Sequence, residues 1–246
     1  MVKREIIYYT DNVPSEQFLW LLRDQILRAC GDIPIISVSQ WPIAFGRNIV
    51  MRGIGRSNLS MYQQILTGLE ASDADVVNFV EHDLVYHSSH FDFVPPDNTA
   101  YWYNRNVWKV RARDGQAVYY RTSGLSLMVC YRDIAVEHYK ERVRLQAGEG
   151  IPKNTGYEPG SHLAPQGLGS IPSKHFTSEH PCIDIRHNHN KTGKSRFHKE
   201  SFRSSKSIRD WKLADEIPFW GKTKGRFNEF LMNLENRSEK GAKCLH

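Results

Sequence analysis

The chain has 246 residues, of which 40% are hydrophobic and 24% charged, values typical of a globular protein with one substantial core. No stretch holds enough consecutive apolar residues to cross a bilayer, and the first residues lack the apolar region of a signal peptide. The sequence therefore argues against a membrane protein and predicts a cytoplasmic one. The formal net charge is +6 at pH 7.

The four cysteines, Cys30, Cys130, Cys182 and Cys244, are far apart and have no paired spacing. The first three lie in or beside apolar runs, where a free thiol packs as a small hydrophobic group. This pattern predicts a reduced protein without disulfides, and it is not the spacing of a cysteine zinc site.

Positive charge is concentrated between residues 186 and 206, which hold seven lysine and arginine residues and a single acidic one, Glu200. This basic block thus carries the same net charge as the whole chain. Such a block attracts nucleic acid or other phosphates, although the solvent-exposed face of a basic protein has a similar composition.

The first elements in chain order predict a parallel sheet. The apolar run at residues 5–9 is followed by small polar residues, as in a buried strand that enters a loop. An amphipathic helix is predicted after Pro14 and Ser15, and a second apolar strand covers residues 34–38. The order strand, helix, strand implies a crossover connection and hence a parallel pair of strands.

The next segments repeat this order. Residues 41–55 are irregular and contain glycine, and Ser57 or Asn58 is the expected N-cap of a second helix. A third buried strand over residues 76–80 leads directly into Glu81-His82-Asp83. Ligands of open α/β sheets bind at the carboxyl ends of the strands, so these three residues lie at the expected binding edge.

The remainder of the chain is less regular. A loop rich in Gly, Pro and Ser covers residues 147–181, and loops of this length in compact domains are more often functional than idle. An Asp-Gly pair marks the turn of a hairpin. We expect four further elements: a strand at residues 100–103, the hairpin at 107–121, a helix at about 133–146 and a strand at 183–185.

The strongest local signal is the pair of carboxylates, Glu81 and Asp83, at the end of the third strand. Two carboxylates separated by one residue in a loop can both reach one hard cation, and Mg²⁺ and Mn²⁺ share such sites with substrate phosphates. A cation held there makes a nucleoside diphosphate a better leaving group. An ordinary acidic turn at a strand end has the same pattern.

A second signal is the segment Asp-Ile-Arg-His-Asn-His-Asn at residues 184–190. The neutral imidazole of His187 could complete the coordination of the cation, and Arg186 and Lys191 could bind phosphates. The adjacent letters His-Asn-His are not the HNH nuclease motif, because that motif spreads its three residues over tens of positions. A solvated surface segment is the alternative.

The order and spacing of these motifs resemble the GT-A glycosyltransferase superfamily over roughly residues 5–195. The similar features are a first strand that ends in Thr10-Asp11-Asn12, the residues Arg56-Ser57-Asn58 before a helix, an acid-x-acid motif, the turn Glu158-Pro159-Gly160, and the segment that begins at Asp184.

The resemblance implies an α/β fold of the GT-A type, a Rossmann-like sandwich in which a central mixed, mostly parallel sheet is flanked by helices. It implies a single domain over residues 1–232, with a nucleotide-sugar-binding half at 1–110 and an acceptor-binding half at 111–232. Residues 233–246 are expected to form a polar tail.

The resemblance also implies roles for single residues. Asp83 would ligate Mn²⁺ or Mg²⁺ together with His187 and Glu81, and Glu81 would also lie near the sugar or ribose. Glu81 stands where the superfamily more commonly has a first aspartate. The donor is expected to be a nucleotide-sugar, a UDP-sugar first, and its other binding residues are Thr10, Asp11, Arg56, Asn58, His82 and Arg186.

Members of the superfamily that invert the sugar use a carboxylate as general base on the acceptor hydroxyl. Glu158, in the long loop, resembles that position, and Asp133, at the start of a helix, is the alternative. The sequence leaves open whether the reaction inverts or retains, and it does not indicate an oligomeric state.

For the acceptor, the sequence favours DNA. Aromatic residues can stack on an unpaired base, and cations bind phosphates. This combination resembles the bacteriophage enzymes that glycosylate hydroxymethylated pyrimidines in double-stranded DNA, which must expose the base, and it would place the protein in a host cytoplasm. The expected cations are Lys191, Lys194, Arg196 and Lys199, and the aromatic residues are Tyr101, Trp102, Tyr103, Trp108, Tyr119 and Tyr120.

Two alternatives to a DNA acceptor stay open. The first is a glycosyltransferase that acts on a saccharide or small molecule, for which the aromatic residues would line a sugar pocket or the core. The second is a metal-dependent nuclease or nucleic-acid-binding protein without sugar chemistry.

Overall fold

The computed structural model describes residues 2–119, 121–148, 158–160, 168, 171–187, 189–190 and 212–234. No helix among these residues is both long and apolar enough to cross a membrane. In chain order, the first elements are β1 (Arg4–Thr10), α1 (Glu16–Cys30), β2 (Ile35–Ser39), β3 (Arg47–Val50), α2 (Asn58–Ala71), β4 (Val76–Glu81), β5 (Leu84–Val85) and α3 (Ser88–Phe91). They are followed by β6 (Tyr101–Asn104), β7 (Val107–Arg111), β8 (Ala117–Tyr119), β9 (Met128–Tyr131), α4 (Arg132–Ala147), β10 (Ser173–Phe176), β11 (Cys182–Arg186), β12 (Lys212–Ala214), β13 (Glu216–Ile217), β14 (Gly221–Lys222) and α5 (Phe227–Met232).

The central sheet has seven strands in the order β10-β6-β9-β4-β1-β2-β3. Neighbouring strands are parallel except at β9, which is antiparallel to both β4 and β6. A second sheet has five strands in the order β12-β8-β7-β11-β5, and β13 pairs with β14. The predicted fold class, an α/β sandwich with a central mixed and mostly parallel sheet, is confirmed.

Strand β1 is packed on both faces of the central sheet, because successive side chains of a strand point to opposite sides. Ile7 and Tyr9 lie in a core with residues of α2 and α4. Ile6 and Tyr8 lie in a second core, to which α1 contributes. All four side chains are at most 4% exposed. Helices therefore flank both faces of the sheet, as the resemblance implies.

The predicted order of strands and helices along the first 81 residues is confirmed, with one strand missed. Ser57 is the N-cap of α2: its hydroxyl accepts from the backbone N–H of Ser60, and the Ser60 hydroxyl accepts from that of Ser57. The missed strand, β3, lies within the segment that was predicted to be irregular. It is an edge strand without a fully buried side chain, so it lacks the apolar run that marks a central strand.

The two predicted halves of the domain share the central sheet. Strand β9, from the second half, lies between β4 and β6 from the first, and residue 110 lies inside β7. Leu234 is 1% exposed in a third core, so the packed chain continues into the predicted tail. Residues 235–246, which include Cys244, lie outside the described part of the chain. The other three cysteines are free thiols in the interior.

Buried His90 should make folding stability depend on pH. It is fully buried beside Asn104, whose amide donates to its Nδ1 at 3.1 Å, and burial together with Arg4 lowers its pKa to about 3. His90 is therefore protonated at a higher pH in the unfolded chain than in the folded protein. As a result, folding stability is lost as pH falls from about 6.5 towards 3. Replacing His90 by Asn should remove about 2 kcal/mol of the loss in unfolding free energy between pH 7.5 and 5.0.

Urea unfolding of the parent and H90N at both pH values measures this difference. The substitution also lowers stability at pH 7.5 because it removes a buried ring, so the change with pH is the quantity to compare. His189→Asn, at an exposed position, is the matched control. Equal pH dependence of the parent and H90N would contradict a neutral His90 in the folded protein.

Candidate functional site

The carboxyl ends of β1, β2 and β4 open into a cleft of about 800 Å³, part of which is open solvent. The cleft lies at the edge of the sheet where the sequence predicted ligand binding. The lining residues come from these strand ends, from the first turns of α2, from Leu84 and Ser126, and from residues 184–190. They are Tyr9, Thr10, Asp11, Gln40, Arg56, Ser57, Ser60, Met61, Gln64, Glu81, His82, Asp83, Leu84, Ser126, Asp184, Arg186, His189 and Asn190.

Most of the predicted donor-binding residues meet in this cleft. The exception is Asn58, the first residue of α2, which is exposed and does not line it. The neighbouring Ser57 and Ser60, which cap the helix, face the cleft instead. The predicted residues that do line it are Thr10, Asp11, Arg56, Glu81, His82, Asp83 and Arg186.

Two side chains that line the cleft, His82 and Asp83, form with His187 a group that could hold a metal ion. The ligand atoms of His82, Asp83 and His187 all lie within 4.8 Å of one another. Oδ1 of Asp83, Nδ1 of His82 and Nε2 of His187 are buried without a hydrogen-bond partner. Unsatisfied buried polar atoms cost free energy, and a cation bound between these three atoms would offset that cost. Two imidazoles and a carboxylate suit a divalent transition-metal ion better than Mg²⁺, which prefers oxygen ligands.

Glu81 is not part of this group, although the sequence placed it among the metal ligands. Tyr9, the residue beside it on β1, donates its hydroxyl hydrogen to Oε1 of Glu81. Burial and the nearby charge of Asp83 raise the pKa of Glu81 to about 8. The structure therefore ties Glu81 to the neighbouring strand, and His82 takes its place in the group that could hold a metal ion.

His187 is neutral at pH 7, the form in which an imidazole ligates a metal. Burial and the nearby His82 lower its pKa to about 4. The backbone N–H of His189 donates to Nδ1 at 3.1 Å, so the neutral ring carries its proton on Nε2. Coordination through Nε2 requires this proton to move to Nδ1, with loss of the bond from His189.

Asp184 holds Arg186 against the wall of the cleft. Nη1 of Arg186 lies 3.3 Å from Oδ1 of Asp184, and Nζ of Lys109 binds the other oxygen. Burial alone would raise the pKa of Asp184, but the two cations outweigh it and lower that pKa to about 2. The carboxylate is thus ionised and orients a guanidinium that can bind phosphate.

Arg56 connects opposite sides of the cleft. Its Nε donates to Oδ2 of Asp11 at 2.5 Å, and its Nη2 donates to the carbonyl of His189.

Asn12, directly after Asp11, adopts a left-handed conformation with φ of 58°, which asparagine tolerates better than most residues. Its side-chain oxygen accepts from the backbone N–H of Gln40 at 2.9 Å, which fixes the end of β1 against the end of β2.

Neither candidate base lines the cleft. Glu158 is half-buried, and its charge makes the smallest of the contributions that raise the pKa of Glu81, a residue of the cleft. Asp133 follows β9, whose last residue, Tyr131, pairs with the first residue of β4. Strand β4 runs from Val76 to Glu81 and rises about 3.3 Å per residue. Asp133, beyond the Val76 end, therefore lies on the order of 20 Å from Glu81, at the opposite edge of the sheet.

The predicted acceptor-binding cations, Lys191, Lys194, Arg196 and Lys199, lie outside the described residues. Tyr101, Tyr103 and Trp108 are at most 4% exposed and pack in the cores. The prediction that these three rings stack on an acceptor is therefore wrong, because their strands direct them inward. Trp102 and Tyr119 are half-buried, and their role stays a prediction, as does that of Tyr120, which is not described.

Sequence reasoning also missed residues that shape the cleft. Gln64 of α2 is buried, and its Nε2 donates to the carbonyl of Thr10 at 2.8 Å and to that of Val38 at 3.2 Å. A single amide thereby joins the ends of β1 and β2. The signal in the sequence was a polar residue on the apolar face of the helix. Asn190 and Tyr9 gave no such signal, because the carboxylates to which they donate, those of Asp83 and Glu81, are distant in the chain.

No protein-family model matches the sequence, and no curated protein is similar enough to match it. Solved structures share parts of the fold. The glycosyltransferase GlyE of Streptococcus pneumoniae TIGR4 has a TM-score of 0.42 and 11% identity, over 62% of this chain and 41% of that one. S. aureus TarS 1-349 in complex with UDP-GlcNAc has a TM-score of 0.40 and 9% identity, over 82% and 62%. The bifunctional IspDF of Campylobacter jejuni has a TM-score of 0.36 and 8% identity, over 56% and 43%.

The chain thus spans less than two thirds of the length of each of these proteins. The function proposed below rests on the residues of the cleft.

The metal group can be tested by binding. Replacing Asp83, His82 or His187 by Ala should weaken Mn²⁺ binding, measured by calorimetry, by more than the roughly 10–100-fold that loss of an outer partner of a ligand costs. The carboxylate should matter most, because it brings negative charge, whereas water can replace an imidazole. H180A, at a half-buried histidine outside the cleft, is the control. Parent-like affinity in all three variants would exclude the site.

Proposed function

We propose that this protein is a metal-dependent glycosyltransferase that moves a sugar from a nucleotide-sugar donor to an acceptor hydroxyl. The observation that carries the proposal is the convergence of three unpartnered polar atoms, on Asp83, His82 and His187, at the carboxyl edge of a mostly parallel sheet. They lie at a cleft whose lining contains both anionic and cationic groups.

The cleft offers different groups to different parts of such a donor. Thr10 and Asp11, at the end of β1, can bind the nucleoside, and Arg186 can bind the diphosphate. Strands β1 and β4 are adjacent, and adjacent strands lie about 4.8 Å apart, so Asp11 and Asp83 suit a ribose next to a phosphate. We take a UDP-sugar as the first donor to test, since TarS is seen with UDP-GlcNAc.

The metal-ligating residues would be His82, Asp83 and His187. A divalent cation bound there supplies positive charge that stabilises the nucleoside diphosphate as it leaves. The chain itself holds Arg186 ready through Asp184, so that a second positive charge faces the same phosphates. Glu158 would accept the proton of the acceptor hydroxyl.

The experiment that tests the function uses the parent protein with UDP and Mn²⁺. A ligand that binds only the folded state raises Tm, so UDP should raise Tm in the presence of Mn²⁺, and UDP-sugars should be consumed with release of UDP. A protein that is stabilised by DNA but not by any nucleoside diphosphate would instead support the nuclease or nucleic-acid-binding alternative.

Glu158→Gln should separate donor binding from catalysis. The amide keeps the shape of the side chain but cannot accept a proton, so UDP-sugar affinity should survive while kcat falls by roughly 10²–10⁴-fold. Asp133→Asn is the matched control, since it makes the same change at the opposite edge of the sheet, and kcat should stay near that of the parent. An active E158Q together with an inactive D133N would show that the base is Asp133.

For the acceptor we propose a hydroxymethylated pyrimidine in DNA, which is supported by the charge of the basic block at residues 186–206. Release of counterions from DNA phosphates makes such binding fall by orders of magnitude between about 50 and 200 mM salt. Charge reversal at Lys194, Arg196 and Lys199 should therefore raise KM for DNA strongly, while hydrolysis of the donor without acceptor stays the same. A KM that does not change with salt would favour a saccharide or other uncharged acceptor.

A further inference from the structure

The side chain of Asn190 lies between the two segments that carry the proposed metal ligands. Its Nδ2 donates to Oδ2 of Asp83 at 2.5 Å, across 107 positions of the sequence. Its Oδ1 accepts from the backbone N–H of His187. One amide group therefore contacts a ligand carboxylate and the backbone of a ligand histidine at the same time.

The backbone around Asn190 strengthens this connection. Its N–H donates to the carbonyl of His187 at 3.1 Å, which closes a turn over residues 187–190. The backbone N–H of Ile185, on β11, donates to the carbonyl of Asp83 at 2.9 Å. The Asn190 side chain thus adds to a backbone contact that already joins the two segments, and it is the part that reaches the Asp83 carboxylate.

The bond from Asn190 also determines which oxygen of Asp83 is left for a ligand. Oδ2 is engaged by the amide, whereas Oδ1 is buried and has no partner. A neutral amide orients the carboxylate without cancelling its charge. A lysine or arginine at this position would neutralise that charge and compete with a metal ion.

We propose that Asn190 is a positioning residue that fixes Asp83 and His187 in the geometry of a divalent metal site. The inference rests on the metal site of the proposed function. Asn190 does not ligate the cation: it orients one ligand through the carboxylate and the other through the turn. Partners of this kind typically change metal affinity by about 10–100-fold.

The test compares Mn²⁺ binding by the parent, N190A and N98A. Asn98 is a matched control, because its exposed amide donates to a carboxylate, that of Asp133 at 3.1 Å, far from the cleft. N190A should bind Mn²⁺ about 10–100-fold more weakly than the parent, and N98A should bind like the parent. The Mn²⁺ electron paramagnetic resonance of N190A should also show weaker coupling to histidine nitrogen, which a general loss of stability would not produce.

The outcomes separate this inference from the proposed function. Mn²⁺ binding by N190A that equals the parent in affinity and nitrogen coupling would overturn the role of Asn190 and leave the metal site standing. A parent that does not bind Mn²⁺ would overturn both. Thermal unfolding without metal shows whether N190A is folded. If N190A is not folded, Mn²⁺ binding is measured instead with N190S, whose side chain is smaller and polar. Parent-like Mn²⁺ binding by N190S would equally overturn the inference.

Discussion

The parallel pairing of β1 with β4 is the constraint on which the site depends. Both strands are buried on both faces and mostly apolar, and each is followed by polar residues at its carboxyl end. Because the strands are parallel and in register from Arg4 opposite Val76 to Tyr9 opposite Glu81, both ends lie at the same edge. Thr10 and Asp11 therefore stand beside His82 and Asp83, and the remaining residues of the cleft are arranged around them.

Three of the carboxylates that line the cleft, Glu81, Asp83 and Asp184, differ in their surroundings and therefore in their pKa values. Asp184 is ionised because Lys109 and Arg186 offset its burial, and its pKa is about 2. Glu81 accepts a hydrogen bond from Tyr9, and burial with the charge of Asp83 raises its pKa to about 8. Burial also raises the pKa of Asp83, one of whose oxygens has no partner. This oxygen is the one that would bind the proposed cation.

The turn that contains Glu158 is held at the other end of the sheet, by β6 and β10. The hydroxyl of Tyr103, on β6, donates to the carbonyl of Pro159 at 2.7 Å, which fixes the residue after Glu158. Gly160 has a φ of 72°, and a Cβ there would lie 2.7 Å from the backbone at Pro172 and Ser173, so the turn requires glycine. The proposed base is therefore held by strands other than those that hold the proposed donor site, which suits a reaction between two substrates.

The sequence by itself determined the features that depend on neighbouring residues: the buried strands β1, β2 and β4, the capped helix α2, and the polar residues after each strand. Only the tertiary structure decided how those residues are paired. It joined Glu81 to Tyr9, grouped His82 rather than Glu81 with Asp83 and His187, and brought Asn190 to Asp83. It also put Asp133 at the opposite edge, because β9 runs antiparallel to β4. Patterns of apolar and capping residues are local, so a sequence displays them directly. Strand order and direction are set by contacts between distant segments, and these decide which polar side chains meet.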